Sequence, residues 1–150
     1  MTKYLVGEYH PESYDYLYLG AKPKIFSDIN NIREAVRPKI NDCVGNFNNT
    51  IDSIEEYFAN KETYTSLNRK DVKDTKIIKI MKRICHTYSS INEVYSFGSI
   101  LSDEALNTSL ELAKKEKAYL EIALATDDIN EFVTSFNKGM HYYVIISAEE

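Results

Sequence analysis

Tryptophan is absent from this chain of 150 residues, and cysteine (two), proline (three), histidine (three) and glycine (five) are sparse. Each shortage removes a class of chemistry. Two cysteines, Cys43 and Cys85, are too few for a disulfide framework or a cysteine-based zinc site, and they suit a reducing compartment. Five glycines leave little material for a phosphate-binding loop, and no Gly-x-Ser-x-Gly, Cys-x-x-Cys or His-x-x-x-His occurs. His10, His86 and His141 stand far apart in sequence. No apolar run approaches the ~20 residues of a membrane span. The start, MTKYLVGEYHPES, lacks the basic, apolar and small-residue segments of a secretion signal, so a soluble, cytoplasmic chain is expected.

Apolar residues make up 43% of the sequence and charged residues 27%, with a net charge of −5. A chain of this size fits one globular domain, 1–150, that buries roughly 68–70% of its unfolded surface. Lysine outnumbers arginine fourteen to four. Together with abundant Asn, Ile and Tyr, that bias fits an AT-rich genome such as that of a phage, a virus or a low-GC bacterium.

Strand signals lie at the ends of the chain and helix signals between them. KYLVGEY and SYDYLYLG, separated by HPE, have the composition of a hairpin. The second segment also has helix punctuation, with Pro11 at the first helical position and Gly20 just past the end, so strand and helix both stay open for 13–19. MHYYVIIS, apolar on both faces, reads as a covered central strand. Residues Ile29, Ile32, Val36, Ile40, Val44, Phe47, Ile51, Ile54 and Phe58 recur at steps of three or four and define one helix face, with Ser27 as its N-cap. The phase survives Pro38, which either kinks one helix or separates two. A second stripe, Ile77, Met81, Ile84, Tyr88, Ile91 and Tyr95, starts near Asp71 or Asp74. A third helix begins after Ser102 and has two apolar faces, Leu106/Leu110/Ala113/Leu120/Leu124 and Leu112/Tyr119/Ala123, which implies contacts on two sides. A fourth, from Asp127 to Asn137, presents Ile129, Val133 and Phe136 before Gly139 ends it. The expected fold is α+β: a bundle of three to four helices with a small sheet formed by the N-terminal hairpin and the C-terminal strand.

Two surfaces emerge as binding candidates. The segment RKDVKDTKIIKIMKRICH carries a lysine at every third position, but strict i+3 spacing spirals around a helix. Set against the Ile77/Met81/Ile84 face, Lys76, Lys79, Lys82 and Arg83 form one outward basic patch. The other candidate is the strand face of Tyr14, Tyr16 and Tyr18, since tyrosine supplies large contact area at low entropic cost.

Catalytic and metal-binding residues are not expected. Cys85 and His86 are neighbours pointing about 100° apart on a helix, and Cys43 sits on the buried stripe as a small core hydrophobe. The acidic pairs Asp103/Glu104 and Asp127/Asp128 follow helix starts, where the dipole favours acids, and Glu55/Glu56 flank core residues. The expected function is non-catalytic binding of another protein, as an inhibitor, immunity protein or phage or viral accessory factor, with no cofactor. Nucleic acid ranks below protein as the partner because the chain is acidic and lacks a helix-turn-helix or RNA-binding signature; self-association is left open. The alternative is a small-molecule or nucleotide binder, including a hydrolase, built where the sheet meets the bundle.

Overall fold

The computed structural model describes residues 2–10, 16–18, 25–62, 80, 103–141 and 143–149. In chain order these include β1 (Thr2–His10), β2 (Tyr16–Tyr18), β3 (Ile25–Phe26), α1 (Ile29–Ala59), α2 (Asp103–Ala125), α3 (Ile129–Gly139) and β4 (Tyr143–Glu149). The fold is α+β: three helices among the described residues, and a small antiparallel sheet drawn from both ends of the chain. No described helix is long and apolar enough to cross a membrane.

The two termini meet as the strand patterns imply. Residues Thr2 to Glu8 of β1 pair with Glu149 back to Tyr143 of β4 over seven consecutive positions. The hairpin also forms, with Glu8 opposite Tyr18 and His10 opposite Tyr16, which makes 16–18 strand and not helix. The short β3 sets Phe26 opposite Tyr4 and Ile25 opposite Leu5. Leu5 therefore has partners in both β3 and β4, and Glu8 in both β2 and β4. It follows that β4 runs along one edge of β1, while β2 and β3 lie end to end along the other. Among the described residues β1 is thus the central strand and β4 an edge, a correction to the covered strand expected at the C-terminus. The apolar run was misleading because only one of its faces is well covered: Ile145 is buried, whereas Val144 and Ile146 are half-buried. Direct pairing puts Tyr4, Ile145 and Tyr143 on one face of the sheet. Tyr4 and Ile145 are buried there, and Lys39 of α1 lies 4.1 Å from the Tyr143 ring centroid, so this face is the one that carries the helices.

The first helix is a single continuous element with the exposed Pro38 inside it. Its N-cap is Asp28, one residue later than expected: the Asp28 carboxylate accepts from the backbone N–H of Asn30 at 2.8 Å and of Asn31 at 3.2 Å. Asp28's own carbonyl accepts the first intrahelical bond, from Ile32. Burial along α1 falls into two runs, Ile32/Val36/Ile40 and Ile51/Ile54/Tyr57, with half-buried Val44 and Phe47 between them. Tyr57 takes the buried position expected for Phe58, which stacks edge-on against it at 5.5 Å.

By compactness the chain divides into Met1–Gly45 with Lys115–Glu150, and Asn46–Lys114. The first unit packs the sheet residues Tyr4 and Ile145 with Ile32, Val36, Ile40, Leu120, Ala123, Phe132, Phe136 and Met140. The second buries Ile51, Ile54, Tyr57, Ile80, Leu106, Leu110 and Ala113. The expected second stripe, Ile77, Met81, Ile84, Tyr88, Ile91 and Tyr95, lies outside the described residues.

Gly45 sits within α1, and a Cβ built on it would meet nothing within 4 Å. Glycine in a helix interior costs roughly 0.5–1 kcal/mol relative to alanine. Gly45→Ala should therefore raise stability by about that amount, measured as a shift of the urea midpoint at unchanged slope.

In the third helix the expected stripe is rotated. Phe132 and Phe136 are fully buried with their rings 6.1 Å apart, while Ile129 and Val133 are half-buried. The two aromatic rings at i and i+4 bury more apolar surface than the β-branched pair, and they set the phase. Gly139 is the last helical residue and not a left-handed terminator; the extended cap residue is Met140, whose N–H donates to the Phe136 carbonyl at 2.8 Å. Glycine is needed there for proximity. A Cβ on Gly139 would lie 2.7 Å from the Glu116 carbonyl oxygen and 2.8 Å from Leu120 Cγ.

Candidate functional site

The structure treats the sequence-derived binding residues unevenly. Tyr16 and Tyr18 occupy β2 at the register positions opposite His10 and Glu8. Tyr14, Lys76, Lys79 and Arg83 lie outside the described residues, as do Lys82, Cys85 and His86.

A different surface is fully described, and it is built on α2. Acids at its start, Asp103 and Glu104, complement the positive end of the helix dipole. Its inner side, Leu106, Leu110, Ala113, Leu120 and Ala123, is buried throughout. The negative end is met by Arg33 of α1, a buried guanidinium that donates to the Thr126 carbonyl and, at 3.1 Å, to Asn30 Oδ1. Arg33 is thereby a structural charge: the helix terminus and the amide satisfy it, and its burial needs no ligand.

The outer side of α2 carries apolar groups that are only partly covered. Ile122 is 41% exposed, and Tyr119, three residues earlier on the same side of the helix, is half-buried. Lys138 of α3 reaches over the Tyr119 ring at 5.4 Å from its centroid, and exposed Lys115 stands one turn before Tyr119. Leu112, two turns before Tyr119, is 52% exposed. The contacts expected on this second side are therefore absent for Leu112. Spacing places Tyr119 and Ala123 on that side, but Ala123 is fully buried with the inner residues, and neither Ile122 nor Lys138 was expected there. In AYLEIALA apolar residues fall all around the helix, so periodicity could not separate an outward Ile122 from the inward Leu120 and Ala123.

A polar cluster joins α1, α2 and the connection that leads from α3 to β4. His141 Nε2 pairs with the Glu116 carboxylate. The half-buried Cys43 thiol faces the same two residues: burial and the Glu116 charge push its pKa up, against an opposing hydrogen bond from the His141 backbone. A thiol held protonated is a poor nucleophile, so Cys43 keeps the packing role that its place on the α1 stripe suggests. Residues 43, 116 and 141 share no spacing signal, and only the fold brings them together. Among the described residues no group of three or more His, Cys, Asp or Glu could hold a metal ion.

The acidic pairs also have local roles. Asp128 caps α3, accepting from the backbone N–H of Asn130 at 2.8 Å and of Glu131 at 3.2 Å. Asp103 pairs with Lys61, linking the start of α2 to the residues that follow α1. Glu55 is exposed and Glu56 half-buried. No protein-family model matches the chain, and no curated protein or solved structure is significantly similar to it.

Proposed function

We propose that the chain is a non-catalytic protein-binding module and that the outer side of α2 around Tyr119 and Ile122 is its contact surface. The observation that carries this reading is the exposed Ile122 and half-buried Tyr119 on a helix whose inner side is buried. An aromatic anchor beside an aliphatic side chain, edged by Lys115 and Lys138, suits an apolar patch with an acidic rim on a partner protein. Small acidic binding proteins of this kind act as inhibitors, immunity proteins or accessory factors of a phage or virus, and that finer assignment is part of the proposal.

The test is to isolate the partner from the native source by cross-linking through a photoreactive residue at position 122, then to measure its affinity for Ile122→Glu and Tyr119→Ala. Each substitution should weaken binding by about 2 kcal/mol, roughly 30-fold. The melting curve of Ile122→Glu should shift little, because the residue is 41% exposed and a carboxylate at that position reaches water. A partner held with undiminished affinity by both variants would move the contact surface elsewhere.

A further inference from the structure

Along the outer side of α2, Lys115, Ala118, Ile122 and Ala125 follow one another at steps of three, four and three residues, and all four are exposed. Such steps keep residues on one side of a helix, and their alternation is the seam along which two helices pack. The residue types fit that use. A methyl group at 118 and another at 125 leave low ground on either side of Ile122, so a second helix can come close to the α2 backbone and take Ile122 between its own side chains. Tyr119 lies alongside, half-buried, with Lys138 of α3 over its ring at 5.4 Å from the centroid. The acids of this stretch are engaged elsewhere: Glu116 pairs with His141, and Glu121 lies 3.6 Å from Lys117. Lys115 and Lys138 therefore set the border of the seam and make it positive, on a chain whose net charge is −5.

We infer that the element bound on this side is a single α-helix of another protein, apolar where it meets Ile122 and Tyr119 and acidic beside Lys115 and Lys138. The inference rests on the contact surface proposed above and adds the shape and charge of what covers it. Charge complementarity to the two lysines calls for acids on the partner, and the seam spacing calls for a helix laid along α2. An extended strand would find no backbone donors or acceptors there, because those of α2 are bonded within the helix. An anionic bilayer would match the lysines but would gain little from two alanine methyls, and Ile122 is the only exposed large aliphatic residue between Lys115 and Ala125.

The test places a photoreactive residue at 118, 122 or 125, one per variant of the full chain, in the native source, and identifies the captured residues by mass spectrometry. Positions 118 and 125 are about 10.5 Å apart along α2, a span that a helix covers in about seven residues and a strand in about three. The captures from 118 and 125 should therefore fall about seven residues apart on one segment of one protein, with the capture from 122 between them and Asp or Glu within a turn. A synthetic peptide of that segment should bind Lys115→Glu/Lys138→Glu about tenfold more weakly than the parent at low salt, with a smaller difference at high salt. Captures about three residues apart, on separate segments, or on a second copy of this chain would overturn the helix and leave the contact surface standing. A peptide held equally by the parent and the double variant would overturn its acidic border in the same way. No protein captured from any of the three positions, or lipid captured in its place, would overturn both the inference and the contact surface.

Discussion

A chain ending at Gly139 should lose its cooperative unfolding transition altogether and not simply fray at one end. Removing residues 140–150 takes away the partner that β1 uses over seven consecutive positions, leaving it three paired positions with β2 and two with β3. It also removes Met140 and Ile145 from the core, each 9% exposed or less, and the strand that Asn137 binds. Losing one such apolar side chain costs about 2–5 kcal/mol, against a net stability of about 5–15 kcal/mol for a typical domain. The sum approaches or exceeds what is available. Near-ultraviolet circular dichroism during a thermal melt reads the outcome, and a truncated chain that melts like the full one would mean that β4 is not part of the packed structure.

Gly139→Ala should destabilise by about 3 kcal/mol, although alanine is the better helix former by about 1 kcal/mol. The added methyl would sit 2.7 Å from a backbone oxygen of α2, and 2.8 and 2.9 Å from Leu120 Cγ and Cδ2. Leu120 is fully buried and the nearest atom belongs to the backbone, so α3 must shift away from α2. That shift would also disturb His141 against Glu116, two residues further on. The contrast with Gly45 makes the comparison informative. Both glycines are helical, yet one lies against open space and the other against a neighbouring helix. Alanine should stabilise at Gly45 and destabilise at Gly139, and urea denaturation of both variants checks the opposite signs. If the two substitutions moved stability in the same direction, helix propensity alone would govern both sites, and the close approach of α2 and α3 would be wrong.

Where one side chain's spacing decides its environment, the sequence was readable. The α1 stripe runs through both buried stretches of that helix, and the tyrosine- and isoleucine-rich ends pair in one sheet. Features that depend on a second element were harder to read. Ser27 and Asp28 are both good caps by residue type, and only the geometry of the Asp28 carboxylate against two backbone N–H groups separates them. Gly139 has the position of a helix terminator, but its role comes from Leu120 and Glu116, some twenty residues earlier. YYVIIS reads as covered on both faces because hydropathy cannot tell a central strand from an edge strand that a helix residue, Asn137, meets at Ile145. The candidate surface was half visible: Tyr119 belonged to the second apolar side of α2, whereas Ile122 was hidden among neighbours that face inward.

Amide hydrogen exchange along β4, followed residue by residue by NMR, decides whether β4 is an edge strand paired to β1 on one side and bonded to Asn137 at Ile145 on the other. Because Ile145 turns its N–H and carbonyl to Asn137, the amides of Val144 and Ile146 are directed at β1 and should exchange slowly; that of Ile145 should be protected in the parent and lose protection in Asn137→Ala, while that of Ser147 should exchange fast in both. Uniformly fast exchange from 143 to 149, or strong protection of Ser147, would contradict that arrangement.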